Sequence, residues 1–129
     1  MKHQTLMDTL AMKYETVTKE KIEISMPVTK KVTQPMGYLH GGATAALAET
    51  AASLGGMQHV DSEKQAIVGI EINCNHLKAK KQGVVTAIAQ PLHLGKRTMV
   101  WDIQIIDEDR LCLSRYIHRE DSSSLYPVV

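Results

Sequence analysis

Residues 34–56 read QPMGYLHGGATAALAETAASLGG, a run of small and apolar side chains with a single carboxylate, Glu49, inside it. The pattern predicts one long helix, roughly Gly41 to Met57, with Gly55-Gly56 as its stop. On both sides of it the period is two. Ile22, Ile24, Met26 and Val28 alternate with Glu23, Ser25, Pro27 and Thr29, as in a half-buried strand. Pro27 cannot donate to a ladder, so an edge or a bulge is expected there. Beyond a polar loop at Val60 to Lys64 come three strand-like segments, Ala66 to Leu77, Gly83 to Leu92 and Thr98 to Asp107. KAKKQG and HLGKR separate them, and DEDR turns into a last strand from Leu111. In the first of the three, Val68, Ile70, Ile72 and Cys74 fall on one face. Short turns between consecutive strands mean an antiparallel meander, because parallel neighbours need long crossovers. A short N-terminal helix is expected from Leu6, Met7 and Leu10. The fold class is α+β: one helix packed on one face of a curved antiparallel sheet, with no repeat or linker to divide residues 1–129 into more than one domain.

Composition narrows the function. At 129 residues and 43% hydrophobic, the chain can build a real core. A net charge of +1 with scattered cations gives no basic stripe for phosphates, and 4% aromatics gives few stacking platforms, so nucleic acid is not an expected partner. No apolar run approaches the roughly 20 residues that cross a bilayer, and MKHQTLMDTL lacks the apolar centre of a secretory signal. A soluble, cytoplasmic protein with no membrane partner is expected. Cys74 and Cys112 suggest neither a disulfide framework nor a C-x-x-C site and read as small core residues.

Helical stepping by three and four from Glu49 reaches Gly42, Ala45, Ala46, Ala52, Ser53 and Gly56, while Leu47 and Leu54 lie elsewhere. Glu49 therefore sits in a groove of small residues. Such a face lets another backbone approach closely or leaves room for a ligand. A lone carboxylate there is either solvated or desolvated for chemistry. Upstream, Gln34, His40, Gly41 and Gly42 surround a helix N-terminus, whose unpaired N–H groups can polarise a carbonyl. Carboxylate, imidazole and free amides in one short stretch point to acyl transfer to water.

These residues carry a resemblance. HGGxxxxLAE preceded by QP, then EINCNH and PLHLGKRTMVW, resembles the hotdog-fold acyl-CoA thioesterases, in particular the branch acting on aromatic acyl-CoA esters. That branch includes the 1,4-dihydroxy-2-naphthoyl-CoA thioesterases of menaquinone synthesis. The similarity runs from about Val17 to Ser114. It implies a long helix wrapped by an antiparallel sheet, and an acyl-CoA substrate with no separate cofactor. Glu49 would be the nucleophile or general base, and the Gly41 amide would polarise the thioester carbonyl. Gln34 and His40 would hold the thioester, with Gly42 beside them; Ser53 and His76 would position the attacking water and the acyl group.

Several positions admit a plainer role. His40 can simply cap the helix, His76 can be a satisfied core histidine, and Ser53 on a small-residue face needs no further reason. His93, Leu94, Gly95, Lys96 and Arg97 form either an exposed turn or a site where Lys96 and Arg97 meet the phosphates of coenzyme A. No histidine spacing suggests a metal. Where the resembled family ends in an apolar strand, this chain reads SRYIHREDSSSLYPVV. A short last strand and a polar, partly disordered tail over about 115–129 are expected. A hotdog dehydratase or a non-catalytic acyl-CoA-binding protein are the rival classes; the first would carry H-F-P-G, which is absent here.

Helix geometry adds one expectation. Gly41 and Glu49 are eight residues apart, about 12 Å along an axis rising 1.5 Å per residue, too far for one helix to bring both to one thioester. Two antiparallel helices from two chains would do so. A homodimer, and in the resembled family a dimer of dimers, is expected.

Overall fold

The computed structural model describes residues 3–124. A short helix α1 (Leu6–Thr9) precedes strands β1 (Lys13–Val17) and β2 (Ile22–Val28), and a single 3-10 turn (Lys30–Val32) leads towards the long helix α2 (Gly41–Met57). Strands β3 (Gln65–His76), β4 (Gly83–Leu94), β5 (Thr98–Ile106) and β6 (Cys112–Ser124) follow. All six strands form one antiparallel sheet in the order β1-β2-β4-β5-β6-β3. Strands β2 to β6 all pack against α2, so the sheet wraps the helix in the α+β hotdog arrangement.

The core lies between them. Ile22, Ile24, Met26 and Val28 point inward from β2 as their alternation requires. Pro27 lies past Ser25, the last β2 residue paired with β1, where β4 is the only neighbour. That is an edge, as expected for a residue without an N–H. From α2 the buried face is Thr44, Leu47, Ala48, Ala51, Ala52, Gly55 and Gly56. Trp101, Ile103 and Ile105 of β5 and Tyr116 of β6 meet it. Each large apolar side chain so buried contributes about 1.5–3 kcal/mol.

The structure departs from the sequence reading at five places. Gly55-Gly56 do not stop the helix, which runs on to Met57; they are flat ground on which Trp101 and Glu120 press, since a Cβ would come within 2.6 Å of the Trp101 ring at Gly55 and 2.1 Å of Glu120 Oε1 at Gly56. Strand β1 was not anticipated, because its largely exposed five residues show no alternation. Val68, Ile70, Ile72 and Cys74 do not share a face. The register of β3 on β6 moves from Gly69 opposite Glu120 to Glu71 opposite Arg119, a bulge that adds Ile70 and exchanges the two faces. Val68 and Ile70 are consequently 51% and 61% exposed, while Ile67 and Ile72 pack on the core. Cys74 is exposed and Cys112 half-buried, so neither is a core residue.

The fifth departure is the C-terminal strand. It is not short: β6 has 13 residues and is paired with β5 on one side and β3 on the other. Residues 115–124 belong to this strand, and the rest of the expected tail, 125–129, lies outside the described residues. Being interior to the sheet, the β6 backbone has ladder partners on both sides, which holds it extended despite its polar sequence. Its inward positions are Ser114, Tyr116, His118, Glu120 and Ser122, all buried.

Candidate active site

The N-terminal end of α2 is built by the loop before it. Gln34 N–H donates to the Tyr38 carbonyl at 2.8 Å, and Gly37, at φ +89, closes the turn by donating to the Gln34 carbonyl at 2.9 Å. Gln34 Oε1 accepts from the Met36 and Tyr38 N–H groups, which leaves its NH2 as the free end. His40 is the N-cap and its Nδ1 accepts from the Gly42 N–H at 2.8 Å, so the capping role open in the sequence is filled. With Gly42 N–H occupied, the N–H of Gly41 at the first helical position is the open donor.

His76, at the end of β3, lies over Gly41, whose absent Cβ would be 3.0 Å from His76 Nε2. The imidazole stands edge-on to Tyr116, ring centroids 5.8 Å apart. Tyr116 OH donates to Thr44 Oγ1 at 2.7 Å and Thr44 Oγ1 to the Gly41 carbonyl at 2.8 Å, a buried chain that fixes the first turn of α2. Burial pushes the Tyr116 phenol above its ordinary value, which keeps it a donor. A cavity of about 380 Å³ opens here, lined by Gln34, Tyr38, Gly41, Thr44 and His76, with Lys78 and Lys80 also on its wall.

Glu49 is elsewhere. Its side chain is 49% exposed, so its own chain does not desolvate it. With Ser53 one turn on, it lines another cavity of about 260 Å³ whose other walls are Met7, Tyr14, Thr50, Leu54 and Met57. Leu54 thus joins the Glu49 cavity instead of lying apart from it. On the sheet side, His118 Nε2 is 3.9 Å from Glu49 Oε1, and His118 Nδ1 is 3.3 Å from Glu120 Oε2.

The chain therefore collects Gln34, Gly41 and His76 in one place and Glu49 and Ser53 in another, and no residue lines both cavities. His93, Leu94, Gly95, Lys96 and Arg97 line neither. That turn is tied to β6: Ser122 N–H donates to the Arg97 carbonyl at 2.7 Å and Ser122 Oγ to the Lys96 carbonyl at 3.1 Å. Sequence reasoning missed Thr44, Tyr116, His118 and Glu120. A strict alternation of buried positions along β6 was the available signal, hidden because those positions are mostly polar.

Residues 36–114 match the family model described as the thioesterase superfamily. A 1,4-dihydroxy-2-naphthoyl-CoA hydrolase of Listeria monocytogenes is 46% identical over 85% of this chain and 90% of its own. A proofreading thioesterase, EntH, of Cronobacter turicensis is 43% identical over 86% of this chain and 82% of its own. Among solved structures, a mutant thioesterase from Staphylococcus aureus superposes with a TM-score of 0.90 at 42% identity, covering 92% of this chain and 98% of that one.

Proposed function

The chain belongs to the thioesterase superfamily, and on that premise we propose that it hydrolyses an aromatic acyl-CoA thioester to the free acid and coenzyme A, as a cytoplasmic homodimer. The observation that carries this reading is the division of the site. Gly41 offers an open N–H and Gln34 an amide beside one cavity, while Glu49 opens on a second, largely apolar one. Gly42, Ala46, Glu49 and Ser53 lie along the part-exposed side of α2, where only the Glu49 carboxylate reaches back towards the sheet. Two copies of this side lying antiparallel would set the Gly41 end of one helix against Glu49 of the other.

In the joined site the Gly41 N–H and the Gln34 NH2 meet the thioester oxygen, and charge developing on it is stabilised there. Glu49 either attacks the carbonyl carbon, so that the C–S bond breaks to a mixed anhydride which water then hydrolyses to the free acid, or takes a proton from the water that attacks. In both routes the proton released by water passes to the departing sulfur, and coenzyme A leaves as the thiol. The half-open Glu49 carboxylate would be shielded from water by the second chain and the substrate. Met7, Tyr14, Leu54 and Met57 would receive the acyl group, and the named substrate of the Listeria relative, a naphthoyl thioester, fits an apolar wall of this kind. Lys96 and Arg97 remain candidates for the phosphates of coenzyme A, joined now by Lys78 on the wall of the thioester cavity.

Release of coenzyme A from benzoyl-CoA, followed with a thiol reagent, tests the reading. Glu49→Gln keeps shape and removes basicity, and turnover is expected to fall by about 10²–10⁴-fold. A variant that keeps the parent rate would remove Glu49 from the reaction, and no thiol release from any aroyl-CoA would favour a binding protein.

A further inference from the structure

Glu49 has a neighbour that the reaction above does not use. His118 and Glu120 lie two residues apart on the inner face of β6 with side chains 1% and 0% exposed. Neither nitrogen of His118 and neither carboxylate oxygen of Glu120 has an aligned hydrogen-bond partner among the described residues. Well-packed apolar residues in place of a buried imidazole and carboxylate usually serve a fold as well or better. Stability does not account for them.

Their placement does suggest a reason. The three groups form a line, Glu49 Oε1 to His118 Nε2 at 3.9 Å and His118 Nδ1 to Glu120 Oε2 at 3.3 Å. The backbone is cut away on both sides of that line. At Gly69, beside the β3 bulge, a Cβ would stand 2.8 Å from Glu49 Oε1 and 3.2 Å from His118 Nε2. At Gly56 of α2 a Cβ would overlap Glu120 Oε1 at 2.1 Å. Two glycines on two elements thus leave the space that the line occupies. The carboxylates address opposite nitrogens of the ring, so no single metal ion could be held by all three. Nδ1 of the ring faces Glu120 and Nε2 faces Glu49.

We propose that His118, braced by Glu120, is a positioning residue that holds the Glu49 carboxylate in its reactive orientation. This rests on the reading of Glu49 as the reacting carboxylate. Glu120 fixes the ring by accepting from Nδ1–H, as the outer member of a carboxylate–histidine pair does elsewhere. The opposite face of the ring then limits the terminal torsion of Glu49, whose side chain is otherwise half in solvent. At 3.9 Å the Nε2 contact is longer than a hydrogen bond; on this proposal it tightens in the substrate complex, as catalytic contacts of free enzymes commonly do.

The test replaces the pair by apolar side chains of similar size, His118→Leu with Glu120→Met. Because no charge is left unpaired, the thermal midpoint is expected at or above that of the parent. On benzoyl-CoA, kcat is expected to fall about 10–100-fold with KM unchanged, the usual range for losing a supporting partner of a reactive group. In a Glu49→Gln background the same pair should change the residual rate less than twofold, because its target is gone. Parent kcat in the folded apolar variant would overturn the proposal, as would an equal loss in both backgrounds. Gly69→Ala is the second variant: it pushes Glu49 off the ring from the exposed edge strand, and full kcat there would also overturn it. Parent activity in Glu49→Gln alone would instead sink the reading of Glu49 itself.

Discussion

Glycine at 55 illustrates how a single residue is decided by something far away in sequence. In a helix interior Ala is favoured over Gly by about 0.8–1.0 kcal/mol. Against that stands the Trp101 ring, 2.6 Å from where a Cβ would be, on a fully buried side chain with no room to move. Forcing extra volume into a packed core typically costs about 1–3 kcal/mol. Gly55→Ala is therefore expected to lower stability in urea by up to about 2 kcal/mol net of propensity; a gain would show that Trp101 can yield. The same contrast explains what the sequence disclosed about the site. Gln34, His40, Gly41, Glu49 and Ser53 could be nominated from the sequence because they sit on one helix and the loop before it, where spacing translates directly into relative position. His118 and Glu120 were not, since a polar inward face looks like a solvated tail until the two strands flanking it are known. The Gly55-Gly56 pair was visible but misassigned, because its cause, Trp101 and Glu120, lies on other elements.

At the scale of elements, the turns beneath the sheet are tied by one carboxylate. Glu108, in the β5–β6 turn, accepts from the Val84 N–H at 3.0 Å and from the Lys80 ammonium, joining that turn to the loop before β4. The Lys80 hydrogen bond, then backbone N–H groups, hold the Glu108 carboxyl down at about 2 from an ordinary value of 4.5. The same bond raises Lys80 above its ordinary value. For Glu108 the folded value is the depressed one, so its contribution is present above 4.5 and is lost as pH falls from 4.5 towards about 2. For Lys80 the folded value is raised, so its share persists through neutral pH and fades only as pH climbs through that raised value. The thermal midpoints of the parent and Glu108→Gln should differ by a constant amount around neutrality and converge below 4.5. A gap that stays constant in acid would mean the tie is not electrostatic. Elements also show where periodicity misleads. The alternation in β2 was faithful because that strand faces one core throughout, whereas the bulge in β3 exchanges its faces midway and makes Val68 and Ile70 appear internal when they are exposed.

For the whole molecule the central expectation is that neither chain works alone. Strand β3 is an edge strand, 12 residues long, with Val68 and Ile70 exposed, a surface that a second copy would protect. Inactive Glu49→Ala and Gln34→Ala chains, refolded together, should regain activity, since in a mixed dimer one site carries both lesions and the other neither. With random pairing about a quarter of the parental rate is expected, from two equivalent sites per two-fold dimer. No recovery in a mixture containing mixed dimers would mean that each chain builds its own site.

The sheet order also has a temporal meaning. Strand β3 is synthesised before β4 and β5, yet its one neighbour within the chain, β6, comes after both. While the chain is being made, β3 therefore waits with both edges open, and His76 and Gly69 have no fixed position relative to α2. The strand that brings His118 to Glu49 is also the one that ends this wait. Order around the carboxylate is thus expected to come late, once β6 has been delivered, through a pairing that joins residues up to Gln65 and Ser124 across the two intervening strands.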